Sequence, residues 1–250
     1  MKTLFSKHRF AFGMGIIMIL IIWIVASLAI HQEIIFPTPW STLRDLVQIL
    51  IVPHTYLVLA TTLFRILMAV LISFVLALIF ASLSIKYPHF ASFIRPQITL
   101  LKTIPVASII IILLVLIGHE YSPLFITGFV VLPLLYEAIY QGYRSIDPNI
   151  LDDVRMLSTI NIPIIRHVYL PLISPFLFTG LIQSLGLGLK VMIMSEFIIQ
   201  PTLSIGRELL FLKQQFEMGK VFAWTFILMI LIMVIEFLIS ILKKQWTLKG

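Results

Sequence analysis

Six apolar stretches divide this chain, at about 11–30, 56–84, 103–118, 123–141, 170–198 and 221–242. Each reads as long enough to cross the roughly 30 Å of a bilayer's hydrocarbon core as a helix. The stretches at 103–118 and 123–141 are separated only by His119-Glu120-Tyr121-Ser122, which predicts a tight turn outside the membrane. Of the 250 residues 60% are hydrophobic and 12% charged, against roughly 25% charged in soluble domains. So little polar surface cannot cover the chain in water, and lipid is its expected solvent.

The segment Met1-Lys2-Thr3-Leu4-Phe5-Ser6-Lys7-His8-Arg9 precedes an apolar run to Ile30. That run is longer than a signal-peptide core and has no clean cleavage site, so it reads as a retained first helix. Alternating six spans leaves two orientations, which Lys and Arg positions separate, because cytoplasmic loops carry the excess. With the N-terminus inside, twelve lie inside (Lys2, Lys7, Arg9, Lys86, Arg95, Lys102, Arg144, Arg155, Arg166, Lys243, Lys244, Lys249) and four outside (Arg44, Arg207, Lys213, Lys220). Both termini are therefore expected to be cytoplasmic, in a multi-pass inner-membrane protein with a single transmembrane domain over 1–250.

Several functions fall away. The chain has no cysteine, which removes disulfides and thiolate metal sites. Its six histidines are scattered with no pair at ligand spacing, so no metal site is expected. The net charge of +7 is spread among short loops, whereas nucleic-acid binding needs a clustered basic face. An intramembrane enzyme would need catalytic groups at depth, and there is no His/Asp cluster and no Ser with a nearby base. An ion-gradient-driven secondary transporter remains as an alternative, although such proteins usually show internal repeats, and none is evident here.

Two connecting segments carry patterns of their own. Phe36-Pro37-Thr38-Pro39-Trp40-Ser41 leads into Leu43, Leu46, Val47 and Leu50 at helical spacing. This predicts either an interfacial helix anchored by Trp40 or a segment contacting solute. On the inner side, 142–169 is the longest non-spanning piece. Asp147 suits an N-cap and Pro148 the first helical position. Ile150, Val154 and Leu157 then form one apolar stripe, with Asp152, Asp153 and Arg155 elsewhere, and Pro163 can open a second short helix toward Leu170-Pro171. Such a stripe fits a groove on a partner protein or lies flat on lipid.

The stretch from Gly142-Tyr143-Arg144-Ser145-Ile146-Asp147-Pro148 to Leu151 resembles the Gly-x-Arg-Ser-x-Asp-Pro-x-x-Leu run of ABC importer permeases, in the branch with nitrate, sulfonate and taurine permeases. Counting back from Val168-Tyr169-Leu170-Pro171 sets Asp152-Asp153-Val154 at that family's Glu-Ala-Ala position and Ser158 at its Gly. The Leu-Pro end matches, while the Glu-Ala-Ala and Gly positions depart. Pro37-Thr38-Pro39, Thr62-Leu63-Phe64-Arg65, Thr103-Ile104-Pro105-Val106-Ala107 and Ser195-Glu196-Phe197-Ile198 are similar to further family stretches in the same order.

The resemblance implies an all-α type I ABC importer permease: six transmembrane helices with a cytoplasmic coupling helix between the fourth and fifth. It implies two cytoplasmic ATPase subunits that bind ATP and Mg, a second permease copy (a homodimer), and an extracytoplasmic solute-binding protein. The coupling contact would fall on Asp147, Ile150, Leu151, Asp152, Asp153, Val154, Arg155, Leu157 and Ser158. Independently, the chain has no Gly-x-x-x-x-Gly-Lys-Ser/Thr phosphate loop, so no cofactor is expected on it and the ATPase must be another subunit.

Ionisable groups at bilayer depth cost roughly 2.5–3.5 kcal/mol on insertion scales and usually face protein or water. Arg65, Gln183, Lys190 and Glu196 are the candidates for the translocation path. Arg65 has the alternative of packing against helix carbonyls or an acidic neighbour, and Glu196 that of meeting solute or a docked binding protein near the outer surface. Lys190 would face an anionic solute or pair internally with Glu236 or Glu137. Glu137 lies near the inner end of its span, within reach of the cytoplasm. Gly180, Ser184 and Gly188 recur every fourth residue, a small-residue stripe for close helix packing.

Overall fold

The computed structural model describes residues 2–157 and 162–247. Among them every regular element is helical. The order is α1 (Lys2–Ile30), α2 (Pro39–Ile51), α3 (Pro53–Lys86), α4 (Pro88–Thr103), α5 (Val106–Ile117), α6 (Ser122–Arg144), α7 (Pro148–Leu157), α8 (Ile162–Ile164), a π-helical turn (Ile165–Tyr169), α9 (Leu170–Ile199), α10 (Ile205–Gln214) and α11 (Met218–Thr247). By packing, the chain divides into two compact units, Met1–Val58 with Glu208–Met229 and Leu59–Arg207 with Ile230–Gly250.

Five segments are long and apolar enough to cross a membrane: Gly13–Ile30, Pro53–Lys86, Ser122–Arg144, Ile165–Ile199 and Met218–Ile241. The sixth differs from the expected straight span at 103–118. As a 12-residue helix α5 rises only about 18 Å, and it passes for a crossing only together with α4, from which it bends by 99°. Pro105 supplies the reason. Its ring disfavours helical backbone at the residue before it, and Ile104 is extended (φ −66°, ψ 128°).

The fifth span differs at its start. Rather than a separate short helix opened by Pro163, the chain runs from Ile162 through the π turn directly into α9. Pro171 lacks the N–H that an α-helix would use, and just before it the Leu170 N–H bonds five residues back to Ile165. A π turn absorbs the extra residue.

In the first unit, the Thr38 side chain caps α2 by accepting from the Ser41 N–H (3.1 Å), with Pro39 at the first helical position. Leu43, Val47 and Leu50 are exposed along α2, and Trp40 is 78% exposed. The Trp23 indole donates to the Pro37 carbonyl (3.0 Å) and stacks on Phe222 and Phe226, with ring centroids 6.0 and 5.4 Å away.

In the second unit, α6 and α9 form the most extensive interface. Gly180, Ser184 and Gly188 are all buried. A Cβ on Gly180 would stand 2.3 Å from that of Ala138, and one on Gly188 3.2 Å from a Val131 methyl, so two of the three small residues let α9 lie against α6. Ile109, Ile110 and Leu113 of α5 join Ile126, Val191 and Ile199 in a core that seats α5 on this pair.

Candidate functional site

Around Glu196, the second unit closes on itself. Thr62 and Arg65 stand three apart on α3 and therefore on one face. Glu196 lies in the last turn of α9, which Gln200 ends in the left-handed conformation (φ 58°, ψ 57°). The chain then doubles back so tightly that a Cβ on Gly206 would come within 2.2 Å of the Phe197 nitrogen. Only glycine fits there.

The result is a saturated network. Arg65 Nη1 donates to Glu196 Oε1 (3.1 Å) and the Leu203 carbonyl (2.6 Å), while Nη2 donates to Glu120 Oε2 (3.1 Å). The Thr62 hydroxyl lies 3.0 Å from both Glu196 oxygens and accepts the Ile205 N–H (3.2 Å). The Gly206 N–H donates to Glu196 Oε2 (3.3 Å). Glu120 Oε1 accepts from the Thr202 N–H (2.8 Å) and from its hydroxyl. Burial works to raise the Glu120 pKa, but the Thr202 donors, Arg65 and His119 outweigh it, and the carboxyl titrates below the usual range.

Glu196 is completely buried. A buried charge needs a partner and hydrogen bonds to offset its desolvation, and here it has both. The structure thus brings together two residues expected along a translocation path, and the geometry is that of Arg65's alternative, a carbonyl and acidic neighbours. It corrects the placement of Glu196 near solute or a docked protein, because its carboxylate has no solvent-facing surface. Glu120, in the α5–α6 turn, was not among the expected site residues. The only signal for it was that an intramembrane arginine needs an acid.

Lys190 and Gln183 are exposed on another face of α9. Gln183 lines a cavity of about 450 Å³ with Glu137, Gln141, Thr179 and Gly180; Lys190 does not. The internal pair expected for Lys190 is absent among the described residues. Glu137 is bound by Lys102 instead, and Glu236 sits in a groove against Ile66, Leu185 and Leu189. The C-terminal end of α6 leads through Ser145 into α7, where Asp147 Oδ1 accepts the Asn149 N–H (2.9 Å). Val154 is buried within the chain, Leu151 half-buried, and Ile150, Asp152 and Met156 exposed. The apolar stripe expected to be free for a partner is therefore only partly free. The side chains of Asp153, Arg155 and Leu157, and all of Ser158, lie outside the described residues. No group of three His, Asp or Glu among the described residues could hold a metal ion.

Residues 74–247 match the family described as the binding-protein-dependent transport system inner membrane component. The chain belongs to that family. The trimethylamine N-oxide transport system permease protein TmoV of Ruegeria pomeroyi is 21% identical over 180 residues, which cover 71% of this chain and 26% of that protein. The chain thus spans about a quarter of the matched relative's length. The permease is a multi-pass membrane component of an ABC-type transport system. Within the matched residues α7 comes after α6 and before α8, the π turn and α9, so in chain order it lies between the two most extensively packed helices.

Proposed function

We propose that this permease forms the translocation path of an ATP-driven importer for a small solute handed over by an extracytoplasmic binding protein. The solute class is nitrate-, sulfonate- or taurine-like, or a vitamin precursor; the trimethylamine N-oxide named for TmoV is likewise a small polar molecule. Two cytoplasmic ATPase subunits supply the energy and hold ATP and Mg, and a second copy of this chain completes the path. The protein lies in the inner membrane with both termini cytoplasmic, and its described elements act as one permease domain.

One observation carries this reading. α7 is a short amphipathic helix whose two flanks are α6 and α9. Force applied to α7 by a closing ATPase would pass along the chain through Ser145 to α6, one member of that packed pair, which suits alternating access by rigid-body motion. Along α9, Gln183 and Lys190, seven apart on one exposed face, are the polar groups we assign to the path. Arg65 and Glu196 keep the end of α9 fixed to α3 rather than touching solute.

Charge reversal at Asp152 and Asp153 tests the coupling. In proteoliposomes with the ATPase and binding protein, the double variant should keep ATP hydrolysis and lose uptake. Normal uptake by that variant overturns the assignment.

A further inference from the structure

Beside the C-terminal end of α6 lies a second cavity, of about 650 Å³, between the end of α3, α4 and α6. Its wall carries Arg95 and Ser92 from α4, and Tyr140, Tyr143 and Arg144 from α6. The two guanidiniums come from different helices and line one space. Neither has a carboxylate partner among the described residues, in contrast to Arg65 with its two. The acidic group on this wall, Glu137, is bound by Lys102. Arg144 lies over the Tyr140 ring, 6.0 Å from its centroid, which restrains the guanidinium without neutralising it. Tyr140 in turn stacks on Tyr136 (5.7 Å, 9°), whose hydroxyl donates to Ser84 Oγ of α3 (3.0 Å). One wall of the cavity is thus held by a chain of side-chain contacts running from α3 to Arg144.

We propose that this cavity binds a phosphate-class oxyanion between Arg95 and Arg144. A guanidinium offers a planar fork of donors matched to such an anion, and charge-assisted bonds of this kind are the stronger ones. The Tyr140 and Tyr143 hydroxyls on the same wall add neutral donors. The anion is either the headgroup of an acidic phospholipid, reached where the apolar part of α3 ends, or a free phosphate. Bound there, it ties α4 to the last turn of α6, three residues before the Asp147 cap of α7, and stiffens the segment that α7 would have to move.

The test uses the purified full-length chain in nanodiscs, without any ATPase, so its result does not depend on the transport reading. In one arm, discs of phosphatidylcholine are titrated with radiolabelled inorganic phosphate at constant ionic strength. In the other, phosphatidylglycerol is added to the discs and the lipid retained through delipidation is counted by mass spectrometry. Saturable binding, one per chain, is expected in one arm, and which arm shows it identifies the source. Arg95→Gln and Arg144→Gln should each weaken it about tenfold, while Arg44→Gln, which removes an exposed guanidinium from α2, leaves it unchanged. Arg95→Lys keeps the charge but loses the fork, and should bind at an intermediate level; it carries the test if a glutamine variant fails to fold. No saturable binding in either arm, equal binding by the variants, or equal loss in Arg44→Gln overturns the proposal.

Discussion

At one end of α9, Glu196 is enclosed, its two oxygens shared among a threonine, an arginine and a backbone amide. Toward the other, α9 faces an open cavity lined by Thr179 and Gln183, and the neighbouring α6 ends in an arginine with no carboxylate partner among the described residues. Both regions are polar and both belong to one compact unit, yet the first is closed on itself and the second has donors to spare. Polar groups that satisfy one another fix a backbone. Polar groups left open are available to something that arrives. The contrast separates the residues that hold α9 in place from those that could act on a ligand.

The largest effect should come from breaking the closed end. Arg65→Met leaves Glu196 and Glu120 without their shared cation, at a cost of about 3–5 kcal/mol by the precedent of broken buried pairs. Unfolding by denaturant in detergent reads this directly, and a variant as stable as the parent would remove the distinction between the two ends. Gly180→Ala comes next. Its methyl meets Ala138 at 2.3 Å, so overpacking should cost about 1–3 kcal/mol, whereas Gly186→Ala, with its nearest neighbour at 3.7 Å, should be close to neutral. Lys190→Met sharpens the comparison from the open side: stability should move by no more than about 0.5 kcal/mol while uptake falls. A large loss of stability would mean that Lys190 has a structural partner after all.

The smallest effect is in pH. Glu120 titrates below its ordinary value in the folded chain, so it contributes stability above the usual carboxylate range and loses it as pH falls through the folded value. The midpoint of thermal unfolding should therefore drop between about pH 6 and pH 3. Glu120→Gln should flatten part of that slope, and an unchanged slope would show that the Arg65–Glu120 contact contributes nothing in solution.

Much of this was readable in the amino-acid order because it is local. Runs of apolar residues gave the crossings, and Asp147-Pro148 marked the start of α7 to the residue. The spacing of Gly180, Ser184 and Gly188 marked a packing face before its partner α6 was known. Where the reading fell short, the cause was a proline or distance along the chain. Pro105 bends the third stretch away from α4, and Pro171 with the π turn merges what reads as two helices, because a proline's ring and missing N–H act on the backbone without altering the apolar pattern. Arg65 and Glu196 are 131 positions apart, and no periodicity links them. Each looked like an isolated charge needing a partner, and only the fold shows that they are each other's. Glu120 was hidden in a turn where a carboxylate needs no explanation.

Ser184 sits in the middle of the small-residue stripe of α9, and among the described residues its hydroxyl has no hydrogen-bond partner. It lies between two glycines that press α9 onto α6 by shape alone. A seam of this kind works as a bearing: one helix can creep along the other without rupturing a directional bond at that point, and the resistance comes from close contact rather than from a catch. The chain thus puts its catch at the Glu196 end and leaves the stretch from Gly180 to Gly188 held by shape.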